Sequence, residues 1–299
     1  MSATIARAQT VTAEAPEPDE NPVRQRIGKT VVYTVLILYS LLVFVPFLWT
    51  LSTSFKTLPE SLQLTWIPQS PTSAGYITAW TQLQPVLPVM FGNSFLLALL
   101  VTVTNVFFGA VGGYAFARLR FPGREVLFLM VLGTLMIPDQ LRVVPVYQIL
   151  VNLGLVAPGP QNYFGITLVL AISATSLFIM RQFFLTIPFD LEESARIDGA
   201  GFFTTFWRIL FPLARPALAT VAILSFQGTW NGFFWPLIIL QSPNHWTLPL
   251  GLAQFRFQYS TNWPPLMAVD VVATVPIVIL YLFFQRYFVS GLSAGAVKG

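Results

Sequence analysis

Residues 30–51 contain no charged side chain across 22 positions. A helix rising 1.5 Å per residue crosses a hydrocarbon core of about 30 Å in that length. Backbone polar groups in lipid must be satisfied within the segment, so a run of this kind has to be helical. The run is longer than a signal-peptide core and no small-residue cleavage site follows, so it is read as a retained span. Uncharged runs recur at residues 95–117, 163–180 and 216–240, and residues 266–289 form another apolar stretch that carries Asp270. A sixth begins near Val126 and resumes beyond Asp139 and Arg142 towards Leu150. It is read as one span, 126–150, kinked at Pro138 and Pro145, with Asp139 and Arg142 paired three residues apart on a helix.

The sequence therefore predicts an all-α polytopic membrane protein with six transmembrane helices and both termini on one side. Residues 1–29, rich in Ala, Thr, Glu and Pro without apolar period, are expected to be a disordered cytoplasmic tail. The spans are placed in a domain over 30–290, and residues 291–299 form a second tail. With the termini cytoplasmic, thirteen of the sixteen Lys and Arg lie inside, and Lys56, Arg142 and Arg256 lie outside. That asymmetry fixes the orientation. Seven of the eight Trp fall on or near the outer side.

Composition narrows the function. There is no Cys and one His, His245, which removes thiolate chemistry, Cys-ligated metal sites and histidine-based catalysis. Only 9% of residues are charged, against about 25% in an average soluble chain. A membrane enzyme has no candidate site here. A secondary transporter or channel would carry coupled charges within its spans; apart from Asp139, paired with Arg142 at the polar outer end of its span, Asp270 is the one acid inside them. Asp270 is read as a contact to solute or proton, or as a residue hydrated near the outer end.

The most informative stretch is the inner loop, residues 181–211. Asp190 is placed to cap a first helix over residues 191–198, with Glu193 three residues on completing a D-x-x-E capping box. Gly199 and Gly201 end that helix, residues 202–210 form a second, and Pro212 stops it. An acidic helix projecting from a membrane serves as a rigid lever for a soluble partner.

Here the sequence resembles the coupling-loop signature of ABC importer permeases: Glu-Ala-Ala, three residues, Gly, nine residues, Ile, one residue, Leu-Pro. Glu193-Ser194-Ala195, Gly199, Ile209 and Phe211-Pro212 keep every spacing, with Ser194 and Phe211 as the two departures, and Asp198-Gly199-Ala200 matches the carbohydrate form. Ala117-Arg118-Leu119-Arg120-Phe121-Pro122-Gly123, Met136-Ile137-Pro138, Trp230-Asn231, Trp235-Pro236-Leu237 and the stretch from Gln285 to the end are similar to the second permease of maltose-type sugar importers. Gly232 departs from the acid that usually follows Trp-Asn in that family.

The resemblance implies the type I ABC importer permease fold in a bacterial or archaeal inner membrane. It also implies a second, different permease subunit, two cytosolic ATPase subunits that bind ATP and Mg, and an extracytoplasmic solute-binding protein. This chain would hold no cofactor and bind no nucleic acid. The residues implied in ATPase coupling are Asp190, Glu192, Glu193, Ser194, Ala195, Asp198, Gly199, Ala200, Ile209 and Pro212, with Lys298 and Gly299 in a tail reaching along the ATPase. Trp230, Asn231, Phe234, Trp235 and Asp270 are candidates for the solute pathway, because aromatic faces pack on sugar C–H surfaces while an amide supplies directional hydrogen bonds. Gly109, Gly112 and Gly113 are expected to allow close helix packing.

Overall fold

In a computed structural model, residues 22–83, 85–258 and 262–296 are described. Among them there are helices and no strand: α1 Pro22–Ser54, α2 Leu58–Ser61, α3 Ala74–Thr81, α4 Leu87–Arg118, α5 Arg124–Gly133, α6 Asp139–Asn152, α7 Gln161–Leu170 and α8 Ala174–Thr186 come first. They are followed by α9 Asp190–Ile197, α10 Phe202–Thr204, α11 Phe211–Leu213, α12 Arg215–Trp230, α13 Phe234–Ile239, α14 Leu248–Gln258 and α15 Trp263–Ala296. Residues up to Trp49 form one unit, which is the body of α1, and the chain from Thr50 onward forms a second. Helix α1 begins at Pro22, so residues 22–29, expected to belong to the tail, are helical. The remainder of that tail, residues 1–21, lies outside the described residues.

Among the described residues, three helices are long and apolar enough to cross a membrane: residues 26–54, 87–118 and 263–285. Three further candidates are bent pairs, α5 with α6 at 104°, α7 with α8 at 51°, and the segment 202–213 with α12 at 73°. The 126–150 span expected as one kinked helix is therefore broken almost at a right angle. Pro138 is the cause. Its ring disfavours the helical region for the residue before it, and Ile137 is extended, with φ −95° and ψ 110°. Pro145, by contrast, lies inside α6, which continues through it. The expected 216–240 span is also divided, since α12 ends at Trp230 and α13 starts at Phe234.

Helix α4 is the hub of the second unit and packs on α7, α8, α12 and α14. Its glycines explain the closest of these contacts. A Cβ on Gly113 would lie 2.5 Å from the Met180 Cβ, and one on Gly109 would lie 3.1 Å from the Ser176 Cβ. In lipid there is no hydrophobic drive between apolar helices, so small residues that let backbones approach carry much of the association. Three apolar cores follow from this arrangement. One gathers Tyr114, Met180, Phe184, Phe206 and Leu210. A second gathers Leu87, Met90, Phe226, Trp230 and Val269. The third gathers Leu97, Val101, Tyr163, Ile166, Trp235 and Ile239.

Candidate functional site

The loop of residues 181–211 forms a bracket at the Arg118 end of α4. Helix α8 stops where Pro188 holds Ile187 extended, at φ −76° and ψ 129°. Helix α9 follows, with Asp190, Glu192 and Glu193 in its first turn and Arg196 in its last. Both placements suit the helix dipole. The expected capping box is absent. Phe189 occupies the cap position in helical conformation without a side-chain cap bond, and Asp190 is already inside the helix. The orphan amides of Glu192 and Glu193 are met by the Phe189 carbonyl at 2.9 and 3.1 Å.

The other end of α9 is as the sequence predicts. Gly199 takes φ +83°, which a side chain resists. The Ala200 N–H donates to the Ala195 carbonyl at 2.8 Å, and the Gly199 N–H donates to the Arg196 carbonyl at 3.0 Å. Those two bonds make a Schellman cap.

Of the two adjacent acids, it is Glu192 that the fold buries. Arg118 Nε stands 3.0 Å from Glu192 Oε1, with side-chain exposures of 1% and 7%. The Tyr114 hydroxyl donates to Glu192 Oε2 at 3.4 Å. Arg118 also donates to the Ile187 carbonyl, and its guanidinium lies over the Phe189 ring, 4.0 Å from the centroid. One cation thus holds the end of α8, the Phe189 turn and α9 together. Ala195 is buried on the same face, whereas Glu193, Ser194, Asp198 and Gly199 are exposed and Ala200 is half-buried. Ile197 is 86% exposed, an apolar side chain standing free on a polar helix.

Beyond Gly201 the chain remains helical but changes pitch. Residues 202–204 are α-helical, 205–210 form a π-helix, and 211–213 return to α. Pro212, expected to end this helix, lies within it. The break comes at Ala214, with φ −79° and ψ 6°. Pro212 has no N–H for the Arg208 carbonyl, and the wider π turn before it accommodates the missing bond. Phe206 packs on the Tyr114 ring at 4.9 Å between centroids, and Phe202 packs there at 5.4 Å. Ile209 is half-buried. The α5 end is tied in separately: Arg181 pairs with Glu125 at 2.9 Å and lies over the Phe128 ring. Lys298 and Gly299 lie outside the described residues.

The pathway candidates do not gather in one place. Trp230 is 2% exposed, stacks on Phe226, and donates Nε1–H to the Ala273 carbonyl at 3.0 Å, so its ring is used in packing α12 against α15. Trp235 is buried and donates to Asp139 Oδ2 at 3.3 Å, while Asp139 also accepts from Arg142 Nε at 2.8 Å. Phe234 is half-buried beside Trp235. Asn231 is exposed at the end of α12. Asp270 is half-buried in a recess with Leu252, Trp263, Leu266 and Met267.

A groove of about 330 Å³ lies elsewhere, between α4, α8 and α12, and its polar lining is Asn105, Ser173, Thr175, Ser176, Ser225 and Thr229. Asn105 is 3% exposed and fully engaged. It donates to the Val101 and Leu170 carbonyls at 3.0 and 2.7 Å, and accepts from the Ser173 N–H and the Ser176 hydroxyl at 3.0 and 3.2 Å. Leu170 and Ser173 are the two sides of the α7–α8 break, so Asn105 satisfies the backbone groups the break sets free. Neither Arg118 nor Asn105 was among the residues singled out from sequence as site candidates. An Arg at the end of an apolar run and an amide in the middle of one were the available signals.

Residues 108–294 match the family of binding-protein-dependent transport system inner membrane components. The chain belongs to this family. It is 41% identical over 209 residues to the arabinooligosaccharides transport system permease protein AraQ of Halalkalibacterium halodurans, covering 70% of this chain and 74% of that one. It is 35% identical over 276 residues to the probable ABC transporter permease protein YurM of Bacillus subtilis, covering 91% and 90%. The diacetylchitobiose uptake system permease protein NgcG of Streptomyces coelicolor is 33% identical over 269 residues, covering 89% and 88%. Among solved structures, a bacterial ABC transporter involved in import of the acidic polysaccharide alginate superposes with a TM-score of 0.76 at 26% identity, covering 92% of this chain and all of that one. The fold is that of an ABC importer permease, and the family places the chain in the inner membrane as a multi-pass component.

Proposed function

We propose that this chain is one of two membrane subunits of an ATP-driven importer for a carbohydrate delivered by an external binding protein. It performs no catalysis itself. ATP and Mg are bound by a cytosolic ATPase pair, and α9 is the element that docks on one ATPase. In this reading the three bent pairs are spans, which makes six with both termini cytoplasmic, and the second permease is a different chain.

The observation that carries the reading is the construction of α9. Glu193, Ser194, Asp198 and Ile197 are exposed, while Glu192 and Ala195 pin the opposite face to the end of α4. A helix held so firmly on one face, with an exposed isoleucine on the other, is built to be pressed upon. Support for the solute class comes from the relatives, which are named for arabinooligosaccharides and diacetylchitobiose. Support for a polar route comes from α12, where Gln227, Gly228 and Asn231 are exposed beside the hydroxyl-lined groove. Exposed amides are costly against lipid tails, so that face is assigned to the partner permease and the solute path.

The test is ATP hydrolysis in nanodiscs by the chain co-assembled with its neighbouring permease and ATPase. Loaded binding protein is expected to stimulate hydrolysis in the native complex and not in one carrying Ile197→Asp, at a position 86% exposed where folding is expected to be unaffected. Solute movement by this chain alone under an ion gradient would show a secondary transporter instead.

A further inference from the structure

The grip on α9 extends beyond the loop. Helix α4 holds the docking helix at its Arg118 end, and thirteen residues earlier, about 20 Å along the axis, Asn105 holds both sides of the α7–α8 break. Between these points α4 and α8 have no room to slide. A Cβ on Gly113 would lie 2.8 Å from the Arg181 backbone nitrogen, and Gly109 faces the Ser176 backbone and Cβ. Arg118 closes the arrangement, since it binds the Ile187 carbonyl at the end of α8, stacks on Phe189 and pairs with Glu192 of α9.

From this geometry we infer that Arg118 is a positioning residue that makes α9, α4 and α8 one rigid lever, so that a displacement of α9 arrives undiminished at the Asn105 clamp. The inference rests on the reading that an ATPase docks on α9. Arg118 is 99% buried at its side chain and faces inward, so it acts on the docking partner only through α9. Its length matters as much as its charge. The guanidinium reaches the carboxylate, the carbonyl and the ring at once, and a Lys ammonium offers one point of charge with no planar fork.

The absence of Cys makes a direct test simple. Leu191→Cys on α9 and Val103→Cys on α4 are spin-labelled in the complete complex, and their separation is measured without nucleotide and with ATP trapped by vanadate. In the native background the separation is expected to stay the same in both states. In Arg118→Met, and in the isosteric Glu192→Gln, it is expected to shift on ATP binding, with stimulation of hydrolysis by loaded binding protein falling roughly 2- to 30-fold. Arg118→Lys recovers part of that stimulation. If Arg118→Met does not reach the membrane, Glu192→Gln decides the same point. The inference is overturned if these variants keep a constant separation and native stimulation, or if the native separation already changes with ATP. Failure of the ATPase to co-purify with the native labelled complex would strike the docking reading instead.

Discussion

Replacing Asn105 by Leu removes an amide of similar volume from the centre of α4 and leaves its partners behind. The Ser176 hydroxyl can turn to another acceptor within its own helix. The Leu170 carbonyl and the Ser173 N–H cannot, because the break in the helix is what freed them. Each buried backbone group left unpaired costs about 1–3 kcal/mol. The adjoining groove admits water, and hydrogen bonds within membranes average nearer 0.6 kcal/mol, so the sum should fall to the low end, about 2 kcal/mol. That corresponds to a roughly 30-fold larger equilibrium constant for local opening. Hydrogen exchange of residues 170–176 in nanodiscs reads it directly, with the Ser173 amide losing protection while amides near the Arg118 end of α4 keep theirs. Unchanged protection at Ser173 in Asn105→Leu would refute the assignment of Asn105 as the clamp on the break.

Other substitutions have equally definite outcomes. Gly199→Ala meets no neighbour but forces a side chain into left-handed backbone, so the last turn of α9 should lose about 1–2 kcal/mol, visible as faster exchange at Ala200. Trp230→Phe keeps the stack on Phe226 and loses the bond to Ala273, costing about 0.5–1.5 kcal/mol in thermal unfolding without impairing transport. Gly228→Leu enters open space beside the groove, so stability should hold while transport by the assembled complex falls. Transport unchanged by that substitution would remove the groove from the path.

The apolar runs made the helical class legible, because length and absence of charge are properties of the chain itself. Where those helices break was less so. Pro138 and Pro145 look alike in sequence, yet one ends a helix and bends the chain while the other is carried inside α6. The difference lies in the backbone, extended at Ile137 before Pro138 and helical through Pro145. Helix α9 was legible from the sequence, down to the glycine at its end. Its first turn was misread because Asp190 resembles a cap, whereas Pro188 and the Phe189 turn start the helix one residue sooner. Which of Glu192 and Glu193 is buried depends on the rotation of α9 against α4, and no local pattern carries that phase. Arg118 was visible within a family motif and counted as an inner charge, but its partner lies in a loop far along the chain. In the aromatic cluster near residue 230, Trp230 and Trp235 are buried in two of the cores, and the polar groove formed where the α7–α8 break needed an amide, neither of which ring density alone reveals.

The central claim is that α9 meets an ATPase, and proximity tests it most directly. A bifunctional thiol crosslinker applied to the complete complex carrying Ile197→Cys as its sole cysteine in this chain should give an adduct with the ATPase subunit. Leu64→Cys, 93% exposed in the segment between α2 and α3, should give none. An adduct confined to Ile197→Cys supports the account. No ATPase adduct at Ile197, or one formed equally at Leu64, would contradict it.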